Sequence, residues 1–266
     1  MEHIIKKTKM VRTTSSMKLD LKRLGVTAGM DILVHSSLSS IGWVVGGGVS
    51  VCHALMEVIG DKGNIVMPTQ TADLSDPSEW ENPAVPEHWW TEMLVEMPAY
   101  HPSYTPTFGM GQVAEIFRQY PDVQRSSHPN YSFAAWGANK EELTQQPLTY
   151  SLGPNSPLDK LYKRNASILM IGTGYDSCTA FHLAEYRINS YKVEEKEAPI
   201  FIKGKRKWVS YLELDFHEEL FEEIGEDLEK EYEIKVGNIG SATARLIPFR
   251  LAVDFAEKWL LDRVEK

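Results

Sequence analysis

Four residues in the stretch DSCTAFHLAE have the types that amine chemistry requires: Asp176, Thr179, His182 and Glu185. His182 and Glu185 are spaced i, i+3, so a helix places them on one face. A histidine titrates near neutrality and can take the proton that an ammonium group must lose before its nitrogen attacks a carbonyl. A neighbouring carboxylate orients the ring and raises its basicity. A structural histidine satisfied in the core is the ordinary alternative for any single His. Cys178 lies four residues before His182, a spacing that also allows a Cys–His pair and a covalent acyl-enzyme. Against that pair, the segment offers a nucleophile no evident oxyanion hole. HLAE is not HExxH, and two ligands at that spacing do not make a zinc site.

A second group begins at His35. His35, Ser36 and Ser37 open the loop HSSLSSIGWVVGGG, which also carries Ser39 and Ser40. The loop follows an apolar run and precedes an amphipathic one, so it leaves the C-terminal end of a strand and enters a helix. Ligands of open α/β sheets bind at that edge. Free N–H groups at a helix start suit a phosphate, and Gly46, Gly47 and Gly48 let the backbone approach a ligand. The loop matches neither GxxxxGK[ST] nor GxGxxG, and a plain strand-to-helix turn uses the same residues. A third group, Arg125-Ser126-Ser127-His128-Pro129-Asn130, is either a contact for phosphates or a structural turn. A fourth is acidic and aromatic, and includes Asp73, Asp76, Glu79, Trp80, Glu81, Trp89 and Trp90. Carboxylates and aromatic faces attract cations, but tryptophans in a lid also pack onto a core.

These groups need a frame. MKLDLKRLG from Met17 reads as a helix ending at Gly25. Residues 30–35 and 65–68 read as buried strands, joined by a helix with Val51, Leu55, Val58 and Ile59 on one stripe and Gly60 at its end. That is a βαβ unit with parallel strands. Residues 69–107 are rich in Pro, Trp and acids, and form an insertion with little regular structure. A loop of that length in a compact chain is usually functional. A helix is expected at 110–120 and a strand within 125–137. Ser156 caps a further helix with Pro157 at its first position. A strand at 167–172 leads into a helix at 179–188. Two strands, near API-FIKG and KRKWVSYLEL, join at a basic turn near Gly204. An acidic helix over 216–234 carries Phe216, Leu220, Ile224, Leu228 and Tyr232 on one stripe. A last helix runs from Pro248. The expectation is one α/β domain over 1–266.

The formal net charge is −9, and no basic stripe marks a nucleic-acid partner. An acidic surface attracts cations, although many enzymes are this acidic for solubility alone. No apolar run approaches a membrane span, and the basic N-terminus lacks the apolar segment of a signal peptide, so a cytoplasmic location is expected. Two cysteines far apart suggest neither a disulfide framework nor a thiolate metal site. Between Glu213 and Glu233 there are eleven acids against one Lys, which reads as a solvated face. Oligomeric state is open, a homodimer included.

LVHSSLSSIGWVVGGGVSVCHAL, NIVMPTQT, MGQVAEIFR, RSSHPNYSFAAWG, GPNSPLDKLY and ILMIGTGYDSCTAFHLAEYR together resemble the aminoglycoside 3-N-acetyltransferases, in order and spacing, over roughly residues 17–260. The resemblance implies a three-layer α/β/α fold with a mixed, partly parallel sheet, distinct from the common GNAT acetyltransferase fold. It implies transfer of the acetyl group of acetyl-CoA to the 3-amino group of 2-deoxystreptamine aminoglycosides, and so antibiotic resistance. It places CoA contacts at His35, Ser36, Ser37, Ser39, Val45, Gly46, Gly47 and Ser126. It makes His182 the catalytic base with Glu185 as its partner, in direct transfer without a metal. Thr179, or backbone N–H groups near Ser37, would serve the oxyanion. Asp73, Glu81 and Asp176 would meet the polycationic substrate. Many members carry Asn or Ser where this chain has Cys178, which argues against a cysteine nucleophile. Two other readings stand beside this one: an acetyltransferase for another amine, such as a polyamine or a biosynthetic aminosugar, and a CoA-binding sensor without catalysis.

Overall fold

The computed structural model describes residues 2–81, 83–188 and 190–264. The chain opens with α1 (Glu2–Lys7) and α2 (Thr14–Leu24), followed by β1 (Asp31–Ser36), α3 (Leu38–Ile41), α4 (Gly47–Ile59) and β2 (Asn64–Pro68). The insertion contributes α5 (Trp90–Glu96). Then come α6 (Gly111–Phe117), β3 (Gln124–Arg125), β4 (Phe133–Gly137), α7 (Lys140–Leu143), α8 (Pro157–Lys163) and β5 (Ser167–Ile171). The C-terminal third holds α9 (His182–Glu185), β6 (Val193–Ile202), β7 (Lys205–Leu214), α10 (Phe221–Glu231), β8 (Lys235–Ile239), β9 (Ala242–Pro248) and α11 (Phe249–Val264).

Seven strands form one sheet in the order β3-β4-β2-β1-β5-β9-β8. Its centre is parallel: β1 pairs with β2 and β5, with Leu33 beside Val66 and His35 beside Met170. Its flanks are antiparallel, β4 on β2 and β9 on β5. The central runs DILVH, NIVMP and SILMI are apolar at nearly every position because both faces are covered. Side-chain alternation sorts them into two cores. Ile32, Val34, Ile65 and Met67 pack with residues of α2, α4 and α6. Leu33, Val66, Ile168 and Met170 pack with residues of α8, α9, α10 and α11. Helices on both faces of a mixed sheet give the three layers.

Local chemistry sets the boundaries. Helix α2 starts three residues before the expected Met17, because Thr13 and Ser16 exchange side-chain-to-backbone hydrogen bonds in a capping box. Ser156 accepts from the Asp159 N–H and Pro157 opens α8, as expected. The β6–β7 hairpin turns at Lys203 and Gly204, both with positive φ, the requirement of a two-residue type I′ turn. It forms a two-stranded sheet of its own.

Three expectations change. Residues 179–188 do not make one helix: a 3-10 turn (Thr179–Phe181) leads into the four-residue α9. The acidic helix is shorter than 216–234, and its buried stripe is Phe221, Ile224, Gly225 and Leu228, whereas Tyr232 is exposed. Strands β8 and β9, absent from the sequence reading, complete the sheet. The insertion is mostly irregular, as expected, apart from α5 and two short 3-10 turns. Its Asn82 lies outside the described residues. The Phe108 N–H donates to the Gln70 carbonyl at 2.8 Å and closes its base. Trp80 packs with Leu74, Met97, Tyr100 and Trp208, which fastens the insertion to β7.

Candidate active site

A cavity of about 920 Å³ opens at the C-terminal ends of β1, β2 and β5. One wall is His35 through Ser39; another is Gly42, Trp43, Val44 and Gly47; a third is Gly109 to Gln112; the fourth carries Thr173, Asp176, Thr179, His182, Glu218 and Phe221. Sequence-distant groups one and two thus share one space.

His182 is the first side chain of α9 and is 5% exposed. Its Nδ1 lies 2.7 Å from Glu185 Oε2, the i, i+3 geometry that one helical turn provides. The other oxygen of Glu185 accepts the His217 N–H at 2.8 Å. The ring of His182 lies against Phe216 and Phe221, with centroids 4.4 and 4.9 Å away. Nε2 lies 3.8 Å from Glu218 Oε1 at the cavity wall. Burial alone would lower the His182 pKa, but the Glu185 hydrogen bond and the charges of Glu185, Glu218 and Glu213 outweigh it, and the pKa is raised. A basic, oriented imidazole facing a cavity is what proton removal from an ammonium requires.

The His35 loop is shaped by hydroxyls and glycine. Ser40 Oγ donates to Ser37 Oγ at 2.8 Å, and the Ser37 N–H donates to the Ile171 carbonyl at 2.9 Å, joining the loop to β5. Gly46 and Gly47 both have positive φ, which lets the chain turn sharply into α4. At Gly48 a Cβ would lie 2.8 Å from Ile116 Cδ1, so this glycine serves the close packing of α4 on α6. At the start of α4 the Gly47 N–H donates to the Val44 carbonyl at 3.0 Å, and no side chain caps the N–H groups that follow it.

Of the sequence-derived site residues, the structure brings His35, Ser36, Ser37, Ser39, Gly47, Asp176, Thr179 and His182 to the cavity wall. Glu185 stands behind His182, fully buried. Gly46 and Val45 are exposed next to the wall rather than part of it. Ser126 is buried elsewhere: its hydroxyl donates to Gln146 Oε1 at 2.7 Å and accepts the Phe133 N–H. Asp73 and Glu81 are exposed on the insertion and do not reach the cavity. Arg125 donates to Thr69 and Thr105, holding the two ends of the insertion together. His128 is likewise structural, accepting the Asn130 and Tyr131 N–H groups at Nδ1. Glu218, Phe221 and Thr173 were not singled out from sequence, and Phe216 was read only as part of the apolar stripe of the acidic helix. Glu218 was hidden in the acidic run, but Thr173 carried a signal: it follows a strand at the ligand edge. Cys178 is fully buried, and burial pushes its thiol up to about 12. Among the described residues no cluster of three or more His, Cys, Asp or Glu side chains is placed to hold a metal.

A family model described as aminoglycoside 3-N-acetyltransferase matches residues 33–261. The chain belongs to that family. The aminoglycoside N(3')-acetyltransferase-like protein YokD from the SPbeta prophage of Bacillus subtilis (strain 168) is 54% identical over 268 residues, covering 100% of this chain and 98% of its own length. The crystal structure of YokD matches with a TM-score of 0.98 at 53% identity, over 100% of this chain and 99% of that one. AAC-IIIb in a binary complex with CoASH matches with a TM-score of 0.85 at 27% identity, covering 96% of this chain and 98% of its own. AAC-VIa bound to sisomicin matches with a TM-score of 0.86 at 29% identity, covering 96% and 99%. The YokD likeness covers the whole chain, including α1 and α2, which precede the residues that the family model matches. No helix among the described residues is long and apolar enough to cross a membrane.

Proposed function

We propose that this member of the aminoglycoside 3-N-acetyltransferase family transfers the acetyl group of acetyl-CoA to the 3-amino group of a 2-deoxystreptamine aminoglycoside, and so protects a cell against such drugs. The observation that carries this reading is the His182–Glu185 pair, 2.7 Å apart, on the wall of the same cavity as the His35 loop and the start of α4.

The cavity suits both reactants. The apolar side chains of Val34, Trp43 and Met67 can flank a pantetheine arm, and the start of α4 with the hydroxyls of Ser36, Ser37 and Ser39 suits phosphate and amide groups. Asp176 and Glu218 line the side nearer His182 and present carboxylates to ammonium groups. His182 Nε2 takes the proton of the attacking amine, with Glu185 holding Nδ1. The amine nitrogen attacks the thioester carbon directly, the C–S bond breaks, and the proton on His182 passes to the leaving thiolate. The buried thiol of Cys178 takes no part.

The test is thiol release from acetyl-CoA with mass detection of product, across 2-deoxystreptamine drugs, analogues blocked at the 3-amino group, polyamines and biosynthetic aminosugars. Acetylation of the free 3-amino drugs and not of the blocked ones is expected. Acetylation of polyamines or aminosugars alone would move the substrate to another amine. CoA binding by calorimetry with no acetylation of any amine would make the protein a sensor.

A further inference from the structure

Among the described residues, three buried side-chain nitrogen or oxygen atoms have no hydrogen-bond partner: Arg12 Nε, His35 Nε2 and Thr173 Oγ1. Buried polar groups are normally paired, and an exception at a ligand cavity points to a partner supplied by the ligand. Arg12 does not line the cavity, and its guanidinium reaches Ser241 Oγ through NH2. His35 and Thr173 both line the cavity, together with His182.

Their placement follows from the sheet. β1 and β5 are adjacent and parallel, with His35 beside Met170 and Ser36 beside Ile171. Thr173 is two residues past Ile171, so the two groups end neighbouring central strands at the same edge. Met170 belongs to the core that includes residues of α9. A parallel neighbour in register points to the same face, so His35 points toward the layer that holds His182. The closeness is also electrostatic: burial, and then the charge of His182, push the His35 pKa down to about 4. At neutral pH His35 is therefore an uncharged imidazole with one N–H, the form that polarises a carbonyl without giving up its proton.

Direct transfer needs donors where negative charge develops. Of the donors expected from sequence, backbone N–H groups near Ser37 or the Thr179 hydroxyl, the Ser37 N–H already donates to the Ile171 carbonyl, while Thr179 lines the cavity but is not among the buried atoms left without a partner. We propose that His35 Nε2–H and Thr173 Oγ1–H are the donors that hold the acetyl carbonyl oxygen during acyl transfer, a role that rests on the acetyltransferase reading above. As the amine nitrogen bonds to the carbonyl carbon, the π pair moves onto oxygen, where these two donors receive it. It returns as the C–S bond breaks, the thiolate leaves with the bonding pair, and the proton gathered by His182 goes to sulfur. The His35 ring and the Thr173 hydroxyl end the cycle unchanged. This makes His35 a catalytic residue rather than only a contact of the CoA arm.

The experiment compares wild type with His35→Phe, His35→Gln and Thr173→Val, using acetyl-CoA labelled with ¹³C at the carbonyl. Calorimetry gives binding, infrared spectroscopy gives the bound carbonyl frequency in the absence of amine, and kinetics give kcat and KM. The expected result is a carbonyl band lowered in wild type relative to free acetyl-CoA and moved back toward the free position in His35→Phe and Thr173→Val, with acetyl-CoA affinity retained. The expected fall in kcat is about 10²- to 10³-fold per donor lost, with partial recovery in His35→Gln, whose amide N–H can donate. A His35→Phe or Thr173→Val protein that binds acetyl-CoA with the wild-type band position would overturn the assignment. So would a rise in KM for acetyl-CoA with kcat preserved. The threonine variant alters one small hydroxyl, so it decides the matter if a histidine variant fails to fold. Wild type that binds acetyl-CoA with an unshifted carbonyl removes the donors and leaves the transferase reading standing; wild type that does not bind acetyl-CoA removes both.

Discussion

Glu185 holds His182 at Nδ1, 2.7 Å from its Oε2, and thereby leaves Nε2 as the nitrogen on the Glu218 side of the ring. Burial opposes the charged imidazole, but the Glu185 hydrogen bond and the surrounding carboxylates raise its pKa above the ordinary 6.5. The base acts only when unprotonated, so kcat/KM climbs with pH through that raised value. In Glu185→Gln the hydrogen-bonded charge is lost, and the acid limb of the profile moves to lower pH. At its plateau the variant loses about 10-fold or more, since a less basic, less oriented imidazole removes part of a contribution of about 10²–10⁴. A pH–rate profile with an unmoved acid limb would disconnect Glu185 from the base. The stability sign is the same: the extra proton affinity of folded His182 stabilises below pH 6.5, and that contribution is lost as pH rises through the raised pKa.

Glu218 approaches the same ring from the cavity side, at 3.8 Å from Nε2, with a side chain 57% exposed. Solvent screens such a pair, so its worth to the histidine is at most about 1 kcal/mol. Its position on the wall suits an ammonium group of the substrate better than a structural role. Glu218→Gln is expected to raise KM for the amine by about three- to fivefold, the scale of that weak ion pair, while KM for acetyl-CoA stays unchanged. Steady-state kinetics with each substrate varied in turn separates the two. Asp73→Asn, on the exposed insertion away from the cavity, serves as the contrasting control.

The site was legible where chemistry and local spacing coincide, and illegible where it depends on long-range packing. The His182–Glu185 pair needs only one helical turn, and the His35 loop only the end of an apolar strand, so both stood out. Glu218 comes to the cavity because Phe221 and Ile224 bury against the sheet and swing the preceding turn over His182. Nothing in a run of eleven acids marks which one faces inward. β8 and β9 were missed because Lys235–Pro248 mixes exposed and buried residues around a Gly240 turn, as an edge hairpin does. Ser126 resembled a ligand contact by its motif, yet its hydroxyl is spent on Gln146 and Phe133.

Gly225 is where α10 crosses the turn before Asp176. A Cβ there would fall against Cγ and both Cδ atoms of the Tyr175 ring, which is buried and tied by its hydroxyl to Glu229 of the same helix. The ring cannot retreat without breaking that tie or its stack on Phe181. Overpacking at this contact is expected to cost about 3 kcal/mol, so Gly225→Ala is expected to destabilise on balance by about 1–2 kcal/mol after the roughly 1 kcal/mol that better helix propensity returns. Urea unfolding measures it; a midpoint at or above wild type would show that α10 moves freely over Tyr175.

His128 makes the protein acid-sensitive. Its Nδ1 accepts two backbone N–H groups, from Asn130 and Tyr131, so Nε2 carries the proton and donates to the Leu148 carbonyl at 3.0 Å. A second proton has no place on Nδ1. Burial accordingly lowers the pKa to about 4, as it does at His35. The unfolded chain takes a proton near pH 6.5 and the folded one does not, so stability falls as pH drops from about 6.5 toward 4. Each histidine accounts for up to about 3 kcal/mol, and His182, whose contribution is already complete below pH 6.5, adds no slope in that window. Urea midpoints are expected to decline over that window, and His128→Asn to flatten the decline while lowering stability at pH 7.5. An unchanged slope in that variant would place the acid sensitivity elsewhere.

Cys178 separates direct transfer from a covalent route. It lies four residues before His182 in sequence, but the intervening 3-10 turn sends the thiol into the core with Phe181 and Tyr175, at no solvent exposure. Burial holds its pKa at about 12, so near pH 8 almost none of it is thiolate, the form that attacks a thioester. Native protein is expected to resist iodoacetamide at Cys178 and to react there only after denaturation. Cys178→Ala should keep kcat within about twofold, with a stability loss of roughly 1 kcal/mol for the small cavity left behind. Mass spectrometry after incubation with acetyl-CoA and no amine adds the direct observation. An acetylated peptide containing Cys178, together with a dead alanine variant, would replace the general-base mechanism with a two-step one; an unmodified chain leaves the acetyl group no stop between sulfur and nitrogen.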